Sequence, residues 1–258
     1  MTKKFRGVAA LNELDLTVPE GSVYALVGPN GAGKTTTLKI VMNILRPSSG
    51  HSEILGIESN RLSPAELAAI GYVSENQQMP DWMTVNYFLA YLKPFYPAWD
   101  SALEGQLVRQ FDLPLDRKLK HLSRGMRMKA ALASSLAYRP RLIILDEPFT
   151  GLDALVRDEL IEALLELAVS ATVLISSHDL AEIEHLASHV GYLDRGRLLF
   201  SEEMTSLIER FREVEVTFEG NAELPTVLPE GWMRPNANGA VVRFVDSRFD
   251  PDRSLAEI

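Results

Sequence analysis

Short apolar runs alternate with stretches of helical periodicity along most of the chain. Residues 22–27 (SVYALV) and 142–145 (LIIL) predict buried β-strands, because each run is short, apolar and rich in strand-forming residues. Helical spacing of apolar residues predicts helices at residues 34–45 and 158–168, and residues 172–176 predict a further strand. This alternation is typical of an α/β fold built on a parallel sheet.

The pattern changes at about residue 205. Residues 181–187 still predict a helix, whereas residues 214–218 (VEVTF) and 241–245 (VVRFV) alternate with period two around a stretch rich in Pro, Gly and Asn. We therefore predict one large α/β domain at residues 1–204 and a small β-containing extension at residues 205–258.

Composition limits the classes of function. The apolar content is 46% and cysteine is absent, which excludes disulfides, thiolate zinc sites and cysteine nucleophiles. No run approaches the ~20 apolar residues of a membrane-spanning helix, and no signal-type segment opens the chain, so we expect a chain that neither crosses a membrane nor is exported. The net charge of −9 argues against a nucleic-acid surface, so any phosphate site must be local.

A segment between residues 82 and 99 is unusually aromatic and is interrupted by Pro94 and Pro97. Two interpretations stay open: the side chains form the small core of a helical subdomain, or they form a partly exposed apolar groove that receives a helix of a partner. Both can hold at once. The seven aromatic residues are Trp82, Tyr87, Phe88, Tyr91, Phe95, Tyr96 and Trp99.

A glycine-rich loop carries the clearest chemistry. The segment GPNGAGKT, from Gly28 to Thr35, fits the pattern G-x-x-x-x-G-K-[ST] and lies between a predicted strand and a predicted helix. Its glycines leave the backbone open to a phosphate chain, Lys34 would reach the β- and γ-phosphates, and the Thr35 hydroxyl would hold Mg²⁺. The predicted nucleoside-triphosphate-binding residues are Gly28, Asn30, Gly31, Ala32, Gly33, Lys34, Thr35 and Thr36.

Two carboxylates and a histidine follow apolar strand runs. Asp146 suits a Mg²⁺ ligand, and Glu147 is the candidate to orient or deprotonate an attacking water. His178 follows the run TVLISS, so it would end at the same edge of a parallel sheet and could contact the γ-phosphate. A lone histidine is more often structural than catalytic, and that alternative stays open for His178.

The order of these motifs resembles the nucleotide-binding subunit of the ABC transporter superfamily. The loop is followed about 90 residues later by LSRGM at residues 122–126, then by LIILDEPFTGLD and ISSHD. The resemblance covers roughly residues 5–205. It implies a P-loop NTPase core with a helical subdomain at about residues 77–135, with ATP and Mg²⁺ as cofactors.

The resemblance also implies roles for single residues. Ser123 and the backbone of Gly125 would contact the γ-phosphate held by a second protomer, so that two sites form between two chains. Gly151 belongs to a loop that crosses the dimer interface in the family, and Phe5 lies where the family stacks an aromatic ring on adenine. Glu147, assisted by His178, would then direct hydrolysis.

The chain departs from the family pattern at three places. Arg124 and Met126 replace Gly and Gln of the usual LSGGQ, so the γ-phosphate contact is expected to run through the serine and the second glycine. Glu75 in GYVSE stands where the family commonly has the glutamine of its Q-loop, and a carboxylate there can still ligate Mg²⁺. Only four residues precede Phe5, where the family has a full strand.

The implied function is that of an ATP-hydrolysing subunit that drives a separate membrane permease, with exporters as the nearest resemblance. The implied partners are that permease and a second ATPase subunit, identical or paired, and the implied location is the cytoplasmic face of the cell membrane. The alternative is an ABC-type ATPase that moves no substrate. A P-loop kinase or GTPase is disfavoured, because LSRGM and TGLD are present and a guanine-binding N/T-K-x-D motif is absent.

Overall fold

The computed structural model describes residues 1–75, 77–168, 170–220, 224, 230–247 and 249. The chain divides into two compact units, Met1–Ser201 and Glu202–Ile258. In the part that the structure describes, no helix is long and apolar enough to span a bilayer.

The larger unit is built on one central sheet. Six strands lie in the order β10-β9-β3-β8-β7-β6, and the β3–β8, β3–β9, β6–β7 and β7–β8 pairs are parallel. Two small antiparallel pairs, β1–β2 and β4–β5, lie outside that sheet. The strands are β1 (Lys3–Phe5), β2 (Val8–Leu11), β3 (Val23–Val27), β4 (Glu53–Ile54), β5 (Ile57–Glu58), β6 (Ile70–Ser74), β7 (Leu142–Asp146), β8 (Thr172–Ser177), β9 (His189–Asp194) and β10 (Arg197–Glu203).

In the described part of this unit, six α-helices accompany the strands, and short 3₁₀ turns lie at Ser59–Arg61, Lys93–Phe95, Leu119–His121 and Leu180–Glu182. Among the described residues between β6 and β7 there is no strand, and three helices occupy that stretch. The helices are α1 (Lys34–Val41), α2 (Pro64–Leu67), α3 (Val85–Leu92), α4 (Ser101–Gln110), α5 (Arg124–Leu136) and α6 (Ala154–Ala168).

Polar side chains fix where the three helices between β6 and β7 begin. Thr84 accepts a hydrogen bond from the Tyr87 amide at 3.2 Å, and Asp100 accepts from the first amides of α4. Ser123 accepts from the Met126 amide at 3.2 Å and so caps α5. Each cap satisfies an amide that has no partner within its helix, which sets the start of the helix locally.

The register of the sheet brings the ends of its central strands together. Ser74 pairs with Asp146 across β6 and β7, and Asp146 pairs with Ser176 across β7 and β8. Val27, the last residue of β3, pairs with Ser177. The carboxyl ends of four neighbouring parallel strands therefore meet at one edge, which is where α/β sheets bind ligands.

The smaller unit contains α7 (Met204–Arg210) and a three-stranded antiparallel sheet in the order β11-β13-β12, formed by β11 (Arg212–Thr217), β12 (Trp232–Asn238) and β13 (Val241–Asp246). Trp232 stacks on the buried Phe244 with ring centroids 3.6 Å apart. This aromatic pair gives the small sheet an apolar face.

The α/β prediction is confirmed, and two of its helices need correction. The first ends at Val41 rather than near residue 45, because Asn43 adopts a left-handed φ of 56°. The helix predicted at residues 181–187 is only the 3₁₀ turn Leu180–Glu182. Apolar residues such as Ile183 and Leu186 are buried there in turns outside a regular helix, so the apolar pattern alone was misleading.

Candidate functional site

The phosphate loop follows β3, whose five residues are all buried, and leads directly into α1. Gly33 has φ of 113°, and a Cβ there would lie 2.7 Å from the Ala10 carbonyl oxygen. A Cβ at Gly28 would collide with the carbonyl of Leu193 in β9. Both positions therefore need glycine, and the loop can present its backbone without side chains in the way.

Lys34 is the first residue of α1 and is 5% exposed. Its Nζ donates to the Gly28 carbonyl oxygen at 2.6 Å and lies 3.0 Å from Glu147 Oε1. A buried ammonium needs such partners, because burial without them would be costly. The predicted phosphate-binding lysine and the predicted water-directing glutamate are thus in direct contact.

Thr35 and Asp146 also meet, as the metal-site prediction requires. Thr35 Oγ1 donates to Asp146 Oδ1 at 2.9 Å, and Ser176 Oγ donates to the same carboxylate oxygen at 2.8 Å. Ser176 is not among the site residues that the sequence motifs predict. The feature that identifies Ser176 is the β7–β8 register, which places this residue opposite Asp146. That register is visible only in the folded sheet.

Glu147 lies just beyond the end of β7 with a left-handed φ of 53°. Its Oε2 accepts a hydrogen bond from Thr150 Oγ1 at 3.1 Å and lies 2.8 Å from His178 Nδ1. A non-glycine residue rarely adopts this backbone conformation, and such strain is concentrated at functional sites. The structure thus brings Lys34, Glu147 and His178 into one continuous chain of contacts.

The contacts shift the pKa of both acid–base groups. Burial opposes ionisation of Glu147, but the hydrogen bonds from His178 and Lys34 outweigh it and hold the pKa of the carboxyl below its ordinary value. The hydrogen bond to Glu147 raises the pKa of His178 above its ordinary value. The site therefore favours a carboxylate at Glu147 and a protonated imidazole at His178.

A cleft of about 180 Å³ opens at this edge of the sheet, and its residues are Thr35, Lys39, Tyr72, Ser74, Glu75, Asp146 and Glu147. The Thr35 hydroxyl and the carboxylates of Asp146 and Glu75 are oxygen donors, the ligand type that Mg²⁺ prefers, so these residues fit the predicted metal. A larger cavity of about 870 Å³ lies elsewhere and includes Leu142 and Thr172, the first residues of β7 and β8. It is at the opposite end of those strands from the predicted chemistry.

The signature residues are placed differently. Ser123 caps α5, and neither it nor Gly125 is among the residues of that cleft. A Cβ at Gly125 would lie 3.0 Å from Val156 Cγ1, so this glycine also allows α5 to pack closely on α6. Within one chain, the phosphate loop and the signature segment therefore do not share the cleft.

The remaining predicted ligands lie on or near the loop. Asn30 and Gly31 are exposed, Ala32 is buried and Thr36 is half-buried. Phe5 is the last residue of β1 and is 45% exposed, with Lys3 Nζ 4.9 Å from its ring centroid. Lys3 therefore lies over the Phe5 ring, and the adenine contact of this residue stays a prediction.

Comparison with known proteins settles the family. The sequence model described as ABC transporter matches residues 11–150, more than half of the chain. The chain belongs to the ABC transporter family. The resemblance inferred from the motifs and their order is confirmed, and the fold is that of an ATP-binding cassette.

Relatives and a solved structure support this assignment. ABC transporter ATP-binding protein YtrB of Bacillus subtilis is 28% identical, over 87% of this chain and 77% of the relative. Daunorubicin resistance ATP-binding protein DrrA2 of Streptomyces coeruleorubidus is 32% identical, over 88% of this chain and 73% of the relative. The dimeric structure of the bacterial ABC transporter cassette MJ0796 is 25% identical with a TM-score of 0.70, over 79% of this chain and 96% of that one.

Proposed function

We propose that this chain binds and hydrolyses ATP with Mg²⁺ and that this cycle drives a separate membrane permease. The observation that carries the proposal is the chain of contacts from Lys34 through Glu147 to His178, with Lys34–Glu147 at 3.0 Å and Glu147–His178 at 2.8 Å. It joins the lysine that we propose binds phosphate to a carboxylate whose pKa is lowered and that lines the cleft.

Each group has a separate task in this proposal. Lys34 and the loop amides bind the phosphates, Glu147 accepts a proton from the attacking water, and protonated His178 stabilises the charge that develops on the transferred phosphoryl group. Mg²⁺, held by Thr35 and Asp146 with Glu75 as a further ligand, would neutralise charge on the phosphates. Phe5 would stack on the adenine.

We further propose that two copies, or this chain and a paired subunit, assemble head to tail. Ser123 and Gly125 lie outside the cleft of their own chain, and the cassette MJ0796 forms a dimer, which supports a site shared between two chains. The N-terminus of α5, capped by Ser123, would face the γ-phosphate held by the other chain.

Glu147→Gln tests this function most directly. The variant should bind ATP, lose most turnover (about 10²-fold or more) and form a dimer only with ATP, as measured by light scattering. The matched control is Glu162→Gln, an exposed carboxylate on α6 that should leave turnover and monomer mass unchanged. A Glu147→Gln protein that hydrolyses ATP at the parent rate would contradict the proposal.

A second experiment tests the cross-chain site. Ser123→Arg should reduce turnover while the monomer still binds ATP, because the serine acts on the nucleotide of the other chain. Mixing Ser123→Arg with Glu147→Gln protein leaves half of the mixed dimers' sites free of both substitutions. Turnover that rises on mixing, above the sum of the separate proteins, supports the shared site, and simple addition contradicts it.

The aromatic segment supports a permease partner at the inner face of the membrane. Trp82, Tyr87, Tyr91 and Phe95 are all about half exposed or more, and their rings pair at 5.6 Å and 5.7 Å. In contrast, Tyr96 stacks on Tyr138 at 3.9 Å, and Phe88 is buried, so part of the segment forms a small core. The resistance function in the name of DrrA2 is in keeping with an exporter. Trp82→Ala with Phe95→Ala should weaken co-purification with the permease and leave ATP binding intact.

A further inference from the structure

Two of the residues that depart from the family pattern are in contact with each other. Arg124, the first residue of α5, forms an ion pair with Glu75, one residue beyond the end of β6. In the family pattern these positions are usually Gly and Gln, which cannot form such a pair. The guanidinium also lies against the loop before α6, since a Cβ at Gly151 would be 2.8 Å from Arg124 Nη1. Arg124 thus joins the end of the metal cleft, the signature segment and the loop before α6.

Glu75 has two competing uses in this arrangement. Its carboxylate is bound by Arg124, and it is also among the residues of the cleft that includes Thr35 and Asp146. Both side chains are only partly buried, at 28% exposure for Glu75 and 49% for Arg124. An ion pair this exposed contributes little, so a divalent cation in the cleft can take the carboxylate away from it.

The position of Arg124 at the start of α5 determines what the side chain could contact once it is released from Glu75. It follows Ser123, the residue that caps α5, and so belongs to the helix end that the proposed function aims at the nucleotide of the other chain. Arg127, one turn further along α5, is fixed separately through Asp81 at 2.8 Å and the Leu119 carbonyl oxygen at 3.0 Å. Arg124 is therefore the arginine of this turn whose partner lies in the cleft.

We propose that Glu75 and Arg124 form an intrachain switch between the two halves of the ATP site. Without nucleotide, Glu75 neutralises Arg124 and holds it against its own chain. When Glu75 turns to the metal cleft, Arg124 is released and its guanidinium binds the γ-phosphate held by the other chain, next to Ser123. The inference rests on the proposed function. It adds Arg124 as a phosphate-binding residue, and it explains why the metal cleft would be filled before Arg124 binds the nucleotide of the other chain.

The switch predicts opposite changes in two measurements on Arg124→Gln. The Mg²⁺-dependent part of ATP binding to the monomer, measured with a fluorescent ATP analogue with and without EDTA, should strengthen up to about 5-fold, because Glu75 is free. ATP-driven dimerisation in the Glu147→Gln background should weaken about 10-fold or more, because a charged contact to the phosphate is lost. Arg124→Lys should restore part of the dimerisation. A purely structural role would shift both measurements in one direction.

Arg127→Gln is the matched control, since it removes an arginine from the same face of α5 without affecting Glu75. It should change neither measurement by more than about 2-fold. The switch would be overturned if Arg124→Gln and Arg127→Gln had equal effects, or if Arg124→Gln changed both measurements in the same direction. In that case, ATP-driven dimerisation of the Glu147→Gln parent would still uphold the proposed function. A parent that does not dimerise with ATP would overturn both.

Discussion

His178 Nδ1 lies 2.8 Å from Glu147 Oε2, so the protonation state of the imidazole and that of the carboxylate depend on each other. The raised pKa of His178 and the lowered pKa of Glu147 have the same origin, because the charged form of each group stabilises the charged form of the other. The other carboxylate oxygen of Glu147, Oε1, lies 3.0 Å from Lys34 Nζ. One carboxylate therefore links the phosphate-binding loop to the histidine at the end of β8.

The pH dependence of this pair has a defined sign. His178 has a raised pKa, so its contribution to stability is complete below its ordinary pKa of about 6.5 and is lost as the pH rises through the raised value. Glu147 has a lowered pKa, so its contribution is complete above its ordinary pKa of about 4.3 and is lost as the pH falls through the lowered value. The ion pair thus stabilises the fold most between those two ordinary values.

Titration of the His178 imidazole by NMR checks this linkage. Glu147→Gln should move the pKa of His178 down towards its ordinary value, since the hydrogen bond to the carboxylate is the main cause of the shift. Glu182→Gln removes a more distant charge and should lower the pKa of His178 less. A His178 pKa that is unchanged in Glu147→Gln would show that the contact does not persist in solution.

Ser176→Ala should weaken metal binding. The hydroxyl of Ser176 donates to Asp146 Oδ1 at 2.8 Å, and such support of a metal ligand typically contributes about 10-fold or more to metal affinity. The measurement is the Mg²⁺ concentration that half-saturates nucleotide binding. Ser177→Ala is the control, because that hydroxyl binds the Asp179 carbonyl and Glu182 instead. Equal Mg²⁺ requirements in both variants would contradict this role.

The parts of the site that could be predicted are those encoded by continuous sequence. The phosphate loop lies between one strand and one helix that follow each other in the sequence. It could therefore be identified from residues 28–35 without knowledge of the rest of the chain. Asp146 and Glu147 were found in the same way, because an apolar strand that ends in acidic residues exposes them at a sheet edge. The predicted roles of these residues stay predictions.

The parts that could not be predicted depend on which strands and helices become neighbours. Ser176 contributes through the β7–β8 register, which the sequence of β8 does not contain. The Arg124–Glu75 pair joins residues 49 positions apart that came to notice only as separate departures from a pattern. Long-range pairings of this kind are set by tertiary packing, and local periodicity carries no information about them.

Lys34→Ala should abolish tight ATP binding and also destabilise the protein. The substitution removes a charged donor to the phosphates, which corresponds to about 10- to 100-fold in affinity. It also leaves Glu147 without its partner at 3.0 Å, at a cost of about 1–3 kcal/mol in the free energy of unfolding. Calorimetric ATP titration and urea unfolding measure the two effects. The control is Lys118→Ala, an exposed lysine outside the cleft, which should change each far less.

Gly125→Ala separates a packing role of the signature glycine from its proposed phosphate contact. The new Cβ would lie 3.0 Å from Val156 Cγ1, so we expect a loss of about 1 kcal/mol in the free energy of unfolding, and Val156→Ala should restore it by removing the crowded methyl groups. Gly105→Ala in α4 meets only the flexible Arg109 side chain at 3.5 Å and should instead stabilise by about 0.5–1 kcal/mol. If the double variant regains stability but still fails to dimerise with ATP, Gly125 also acts on the other chain. A Gly125→Ala protein as stable as the parent would show that the α5–α6 contact does not require glycine.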